Sequence, residues 1–276
     1  MTSATMVMLA AAIQAGAVIP VGAVEGLIQP SAKWELQVED TTCVLSRHYG
    51  AGASGMTLVV RKRPLSAEYD LALFDSLKRK GGASDKSGQD IASIRLTPGD
   101  RGIRVGFDMW SATTSPDLRV TKMQITSADF AAITTAETVS IAIGSSPPVL
   151  MAMRAGTKAA LALKSCNDDF LREWKIDPVE NDLVATPPKA KPVTWFSDDD
   201  YPAAAKGAQG KVLAVFKIGT DGRISDCRAV GSSGSTVLDD ATCRLLTARL
   251  QFKPALDKNG KPIAAYKSIA YDWKRR

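Results

Sequence analysis

The chain has 276 residues, a length that suggests two domains. With 45% hydrophobic and 23% charged residues, its composition excludes a mainly disordered or collagen-like protein. The net charge of +6 is unevenly distributed, because residues 201–276 contain 14 Lys and Arg against 6 Asp and Glu. A basic C-terminal unit therefore follows a nearly neutral N-terminal one.

Residues 1–24 carry no charged side chain and are almost all apolar or small. A helix of this length could just span a bilayer. The segment contains Pro20, however, and Val21 and Ala23 are small residues at the spacing of a signal-peptidase site. We expect residues 1–23 to be a cleaved secretory signal, with a retained membrane anchor as the alternative. In both cases the rest of the chain is exported.

The region 30–176 is predicted to consist mainly of strands. Short segments alternate apolar and polar residues, as half-buried strands do, at residues 34–39, 55–61, 69–74, 91–96, 103–109 and 118–125. Turn sequences rich in glycine occur at residues 80–88 and 98–102. This pattern predicts a mostly antiparallel β domain, either a sandwich or a barrel. Helical segments are predicted within residues 127–133 and 151–174.

Little in the sequence indicates catalysis. His48 is the only histidine, so a metal site built on several histidines is excluded. Its position in a strand-like run predicts a surface or strand-end side chain. No GxSxG, HExxH, Walker or GxGxxG motif occurs. We therefore expect no catalytic residue, metal, cofactor or nucleic-acid partner; an enzyme with its site in the N-terminal domain is the less favoured alternative.

The cysteines are even in number, and the chain is expected to be exported, which favours disulfides. They are Cys43, Cys166, Cys227 and Cys243, with no CxxC spacing for zinc or redox chemistry. Three pairings are possible. The division into two domains favours Cys43–Cys166 and Cys227–Cys243, because each pair then lies within one unit. Four buried free thiols are the alternative.

Residues 177–195 are polar and rich in proline. This composition predicts an extended linker with polyproline character. Because the linker is short, we expect the two domains to lie beside each other.

The C-terminal unit, residues 196–276, has a clear order of predicted elements. They are a short helix after residue 202, strands at 210–219 and 223–230, a helix from residue 236 and a last strand at 262–273. Asp221 and Gly222 are a hairpin signal, and Thr236 and Asp239 are a predicted capping box. The unit is predicted to pack helices on a three-stranded antiparallel sheet, so the whole chain is α+β.

Seven short motifs follow one another in this unit at a characteristic spacing. They are Tyr201-Pro202, Gly210-Lys211-Val212, Asp221-Gly222-Arg223, Ser232-Ser233-Gly234, Leu238-Asp239, Phe252-Lys253-Pro254-Ala255 and Asn259-Gly260-Lys261-Pro262. Through these motifs, residues 196–276 resemble the TonB C-terminal domain family. The resemblance does not extend to residues 30–176, and it implies no role for them.

The resemblance implies a periplasmic domain that acts in TonB-dependent transmembrane transport. Such a domain pairs a short segment of an outer-membrane receptor with its exposed last strand, which is β-augmentation. The partner-binding residues expected here are Ile263, Ala265, Tyr266, Lys267, Ser268, Ile269 and Tyr271. If the edge is free, a proline at Lys267 is expected to weaken peptide binding without unfolding the domain. The alternatives are an edge capped by the N-terminal domain, or by a second copy in a homodimer.

The chain also departs from the family pattern. A TonB transducer retains an N-terminal anchor and a long proline-rich span, whereas this chain has a signal-like segment and a folded neutral domain. The alternative function is an exported structural envelope protein. It would bind cell-wall or anionic surfaces through its basic C-terminal unit, without energy transduction.

Overall fold

A computed structural model describes residues 26–51, 55–76, 91–112, 115–144, 146–191, 193 and 195–274. Within these ranges the chain forms seventeen strands and four α-helices. The predicted signal, residues 1–23, and the predicted turn at 80–88 lie outside the described residues. Among the helices described, none is long and apolar enough to cross a membrane.

The N-terminal domain is built on one sheet of ten strands. The strands are β1 (Leu27–Ile28), β2 (Glu35–Glu39), β3 (Thr42–Tyr49), β4 (Met56–Lys62), β5 (Glu68–Ser76), β6 (Ile91–Thr97), β7 (Arg101–Ala112), β8 (Ser115–Thr126), β9 (Thr138–Ile143) and β10 (Val149–Ala152). Their order is β1-β10-β9-β6-β7-β8-β5-β4-β3-β2. All neighbours are antiparallel except β1 and β10. The predicted mostly antiparallel domain is confirmed.

The sheet curls until its two ends meet. Strand β1 pairs with β10, and the residues just after β1 reach β3 near the opposite end of the strand order. There Gly50 N–H donates to Gln29 O at 3.1 Å, and Ser31 N–H donates to His48 O at 3.0 Å. This closure resembles a barrel and satisfies backbone groups that an open edge would leave unpaired.

Alternate residues of the strands fill a single core. Those exposed by 1% or less include Leu45, Leu58, Leu73, Ile94, Met123 and Ile141. The inward positions recur every second residue, as a pleated strand requires. His48 lies at an exposed position near the end of β3, and Thr57 Oγ1 is 2.7 Å from its Nδ1. The surface position predicted for His48 is confirmed.

One ion pair is buried between neighbouring strands. Asp75 of β5 and Arg119 of β8 lie opposite each other and are 2% and 6% exposed. Arg119 Nε donates to Asp75 Oδ1 at 2.8 Å, and Nη2 donates to Oδ2 at 2.5 Å. The two parallel bonds satisfy both charges inside the domain.

Substituting Arg119→Met is expected to lower the free energy of unfolding by about 3–5 kcal/mol, because the Asp75 carboxylate would stay buried without a partner. The double variant Asp75→Leu/Arg119→Met is expected to lose much less, since both charges leave together. Equilibrium denaturation in guanidinium measures the two losses. Equal losses in the single and double variants would contradict this assignment.

Two helices close the N-terminal domain. Helix α1 (Ser127–Thr135) begins with a capping box between Thr126 and Asp129, and α2 spans Gly156–Glu173. The helical prediction for residues 151–174 missed β10 at its start. The preceding strand β9 (Thr138–Ile143) was also missed, although its apolar residues and its burial alternate with the period of two that predicts a strand.

Both predicted disulfides are confirmed. Cys43 of β3 is bonded to Cys166 of α2, with 6.2 Å between the Cα atoms. Cys227 is bonded to Cys243, with a Cα separation of 5.5 Å. Each bridge lies within one domain, as the division of the chain predicted.

The segment between the domains is more ordered than its composition predicts. Asp177 caps the N-terminus of helix α3 (Pro178–Asp182), and its side chain accepts a hydrogen bond from Val179 N–H at 2.8 Å. Proline at the first helical position costs no hydrogen bond, which is why this proline-containing stretch can be helical. Strand β11 (Lys189–Ala190) then pairs with the C-terminal domain. The prediction of an extended polyproline linker throughout residues 177–195 is therefore wrong.

The C-terminal domain contains the predicted three-stranded antiparallel sheet. Its elements are β12 (Gly210–Ile218), β13 (Ile224–Gly231), α4 (Thr236–Arg249), β14 (Phe252–Lys253), β15 (Ala255–Leu256), β16 (Pro262–Ile263) and β17 (Ala265–Trp273). The sheet order is β13-β12-β17. Two 3₁₀ turns, Asp198–Asp200 and Ala203–Ala205, precede β12.

This sheet has two buried faces. On one face Phe216 and every second residue of β12 share a cluster with Leu238 and Leu246 of α4. On the other face Leu213 and Val215 belong to the core of the N-terminal domain. The sheet therefore lies between α4 and the N-terminal domain, and the two domains pack directly against each other.

Two predicted details of this domain are wrong. The N-cap of α4 is Ser235, not Thr236, and Asp239 accepts hydrogen bonds from Ser232 and Ser233 of the preceding loop instead of closing a capping box. The last strand is also not continuous from residue 262. Pro262 and Ile263 pair with β15 as a separate hairpin, so β17 begins at Ala265.

Candidate partner-binding edge

Strand β17 forms one edge of the C-terminal sheet. It pairs with β12 over nine consecutive residue pairs, from Gly210 opposite Trp273 to Ile218 opposite Ala265, without a register shift. The sheet order gives β17 no second neighbour among the described strands. A straight, regular edge of this kind is a template for another strand.

The hairpin after β12 determines which backbone groups of β17 point outward. Gly219 N–H donates to Arg223 O at 2.9 Å, so the backbone groups of Gly219 point toward β13. In a strand these groups alternate between the two sides, so those of Ile218 and Phe216 point toward β17. Because Phe216 lies opposite Lys267, these two residues form a hydrogen-bonded pair.

The same alternation assigns the residues of the edge from 265 to 272. The backbone groups of Ala265, Lys267, Ile269 and Tyr271 point toward β12. Those that point outward belong to Tyr266, Ser268, Ala270 and Asp272. In the described part of the chain, none of these four outward residues forms a backbone hydrogen bond to another segment. The outer edge therefore presents four N–H and four C=O groups.

The opposite edge of the sheet is less suited to pairing. Strand β13 has two register shifts against β12, and Asp226 adopts a φ of 49° at one of them. Such bulges twist an edge and interrupt the regular spacing that a second strand needs. Of the two edges of this sheet, β17 is the one with an uninterrupted register.

The structure separates the predicted partner-binding residues into three groups. Ile263 lies in the hairpin of β15 and β16 and not on the edge. Tyr266 and Ser268 direct their backbone outward, whereas the remaining four predicted residues direct theirs toward β12. Sequence reasoning missed Ala270 and Asp272. The hairpin at Asp221 and Gly222 is the sequence signal that could have identified them, because its register determines which backbone groups of β12 and β17 point outward.

The N-terminal domain approaches the middle of this edge. Ser268 is 7% exposed, and its Oγ donates to Pro64 O at 2.6 Å. Tyr266 and Ala270 pack against the N-terminal core, whereas Tyr271 faces the other way and stacks on Phe196 with 3.7 Å between ring centroids. One face of β17 thus rests on the N-terminal domain.

A cavity of about 520 Å³ lies beside the first half of β17. We call it the edge groove; its walls come from both domains and include Lys62, Tyr69, Phe130, Asn167, Tyr266 and Lys267. Tyr69 and Phe130 are stacked with ring centroids 4.2 Å apart, and the Lys62 ammonium lies 4.2 Å from the centroid of the Tyr69 ring. The groove therefore combines an aromatic wall with cationic groups.

Burial perturbs the titratable groups of the edge groove. It lowers the pKa of Lys62 to about 8, and the Glu68 carboxylate partly offsets this effect. Burial also lowers the pKa of Lys267; Glu68 opposes that shift and Arg63 adds to it. The pKa of Tyr69 is raised by burial. Burial thus makes the charged form of both lysines less favourable than it is in water.

Comparison with known proteins agrees with the sequence pattern of the C-terminal domain. Residues 199–274 match the family model described as Gram-negative bacterial TonB protein C-terminal. No curated protein matches the chain. The matched segment contains α4 and all three strands of the C-terminal sheet, including the β17 edge. The resemblance of this domain to the TonB C-terminal family is therefore confirmed.

Proposed function

We propose that this chain is a periplasmic TonB-like protein. Its β17 edge would bind an extended segment of an outer-membrane receptor, or of another envelope protein, in TonB-dependent transport. The observation that supports this function is the regular outer edge of β17, with its four outward-directed residues. The family match of residues 199–274 adds support for a protein–protein role in the cell envelope.

Strand addition requires no catalytic residue. Each outward residue offers one donor and one acceptor, and each hydrogen bond contributes about 0.5–1.5 kcal/mol net. Affinity would thus come mainly from the backbone, and specificity from the side chains of alternate residues of the added segment. Because β12 and the N-terminal domain cover the other sides of β17, the partner would approach along the edge.

Site-specific photo-crosslinking tests this function. A photoreactive residue at Asp272, on the outward side of β17, is expected to capture an outer-membrane protein from a membrane preparation of the producing bacterium. The matched control is the same residue at Lys258, an exposed position in the β15–β16 hairpin. Adducts at Asp272 that vanish in an Ala270→Pro background would support strand addition. Equal adducts at both positions would contradict it.

The net charge of the C-terminal unit, +8 over residues 201–276, favours one other function, binding to anionic surfaces. Part of this charge is compensated by the preceding turn, since Arg249 pairs with Asp200, which lies outside the counted range, at 2.5 Å. Strand pairing depends little on ionic strength, whereas binding through exposed charge is screened by salt.

Raising the NaCl concentration from about 0.05 M to about 0.5 M is therefore expected to weaken partner binding less than about threefold. Binding to vesicles of phosphatidylglycerol, measured by co-sedimentation, serves as the comparison. If salt weakens partner binding more than about tenfold, as it does for vesicle binding driven by surface charge, the structural envelope function replaces strand addition.

A further inference from the structure

We propose that the edge groove is a carboxylate-binding pocket that takes an acidic side chain of the segment added to β17, with Lys62 and Lys267 as its cations. This inference rests on the proposed function and names a chemical property of the partner. The pocket would require that an aspartate or glutamate occupy one fixed position of that segment.

The position of the groove links it to the edge. Tyr266 lines the groove and directs its backbone groups outward, so a residue that pairs with Tyr266 would lie at the mouth of the groove. The remaining walls come from the β4–β5 connection, α1 and α2 of the N-terminal domain, and from α3 with the segment that follows it. Both domains are needed to form the pocket, which gives the N-terminal domain a part in recognition.

The residues that line the groove include three lysines and two aspartates, so their charges are not fully balanced. Lys164 on its wall already pairs with Asp168 and Asp182, each at 2.9 Å. Within the described chain, neither Lys62 nor Lys267 has a carboxylate in ion-pair contact; Glu68 acts on both only at longer range. Two lysines therefore line the groove without a direct counter-ion.

Burying a cation without a partner is unfavourable, and both lysines are half-buried. Lys62 does make two favourable contacts, since its Nζ lies over the Tyr69 ring and donates to Ser66 O. A bound carboxylate would add the charge-assisted hydrogen bonds that neither contact supplies. The depressed pKa values of both lysines, which burial causes, agree with this incomplete compensation.

A second polar group on the wall lacks a partner. Asn167 is 7% exposed, and its Nδ2 donates to Leu163 O at 2.8 Å. Its Oδ1 is buried and accepts no hydrogen bond from the described residues. Buried polar atoms are usually paired, and this acceptor needs a donor, so it would be completed by an N–H or O–H group of the added segment and not by its carboxylate.

The test uses peptides selected from a phage-displayed library of extended nonapeptides on the exported chain. We expect the selected peptides to carry Asp or Glu at one fixed position. Changing that residue to its amide, Asn or Gln, is expected to weaken binding to the parent chain about tenfold. In the Lys62→Gln/Lys267→Gln variant, the acid and the amide peptide are expected to bind equally well. The matched control, Lys258→Gln, lies in the exposed β15–β16 hairpin and is expected to preserve the tenfold difference.

The outcomes separate the pocket from the strand addition. If the acid-to-amide change has the same effect in the parent and the double variant, the pocket is wrong while strand addition stands. If binding of the selected peptides is insensitive to Ala270→Pro, strand addition fails and the pocket fails with it. If phosphatidylglycerol vesicles displace the selected peptides from the chain and free acidic peptides do not, the pocket is also wrong. Should Lys62→Gln reduce stability, Lys267→Gln alone provides the same comparison.

Discussion

Proline at Ala270 is expected to weaken strand addition while the domain stays folded, whereas proline at Lys267 is expected to unfold the domain. The N–H of Ala270 points to the outer edge, so its loss leaves the β12–β17 ladder intact. The N–H of Lys267 points toward Phe216, so proline there removes a bond inside the sheet. Strands tolerate proline at an edge only where the N–H faces away from the ladder. The residue to test for binding is thus Ala270, and not Lys267 as the sequence suggested.

Circular dichroism and thermal denaturation measure folding, and fluorescence anisotropy with a selected peptide measures binding. Ala270→Pro is expected to weaken the peptide about tenfold through one lost hydrogen bond and the steric bulk of the ring. Asp272→Pro is a second outward variant, which guards against a local effect at Ala270. If Lys267→Pro stays folded and loses binding while both outward variants bind normally, the assignment of the edge is reversed.

Removing the bridge with Cys43→Ser/Cys166→Ser is expected to lower the free energy of unfolding by about 5 kcal/mol. The two cysteines are 123 residues apart, and the loss of loop entropy in the unfolded chain grows with the length of the closed loop. The bridge also attaches α2 to β3. The matched control, Cys227→Ser/Cys243→Ser, opens a loop of 16 residues and is expected to cost about 3 kcal/mol.

Guanidinium denaturation of the exported chain, followed by tryptophan fluorescence, compares the two variants. Mass spectrometry of non-reduced digests verifies that each variant keeps its other bridge. If opening the short loop destabilises the chain more than opening the long one, loop entropy does not dominate, and strain or packing around the bridges would have to explain the order.

The packing between the domains limits how a partner can reach the C-terminal sheet. Leu213 and Val215 are buried in the N-terminal core, and the opposite face of the sheet is buried by α4. A partner that binds through a sheet face would have to displace one of these layers. A partner that binds along β17 displaces neither, which is a physical reason to prefer the edge.

Local patterns in the sequence determined most of the elements. Alternation of apolar residues identified the strands around Leu58, Leu73 and Ile94, because burial on one face of a strand repeats every two residues. Even cysteines in two separate units predicted both bridges. The motifs from Tyr201 to Pro262 identified the C-terminal domain. The strand patterns and the motifs depend on residues close together in the chain, whereas the bridges were predicted from the division of the chain into two domains.

Only the tertiary structure decided how the site is assembled. Lys62 and Lys267 line one groove although they are far apart in the chain, and Ser268 bonds to Pro64 across the domain boundary. The outward direction of Ala270 depends on the register that the hairpin at Gly219 imposes on two strand pairs. Neither local propensity nor periodicity carries this information, because contacts between distant segments arise from the packing of whole elements.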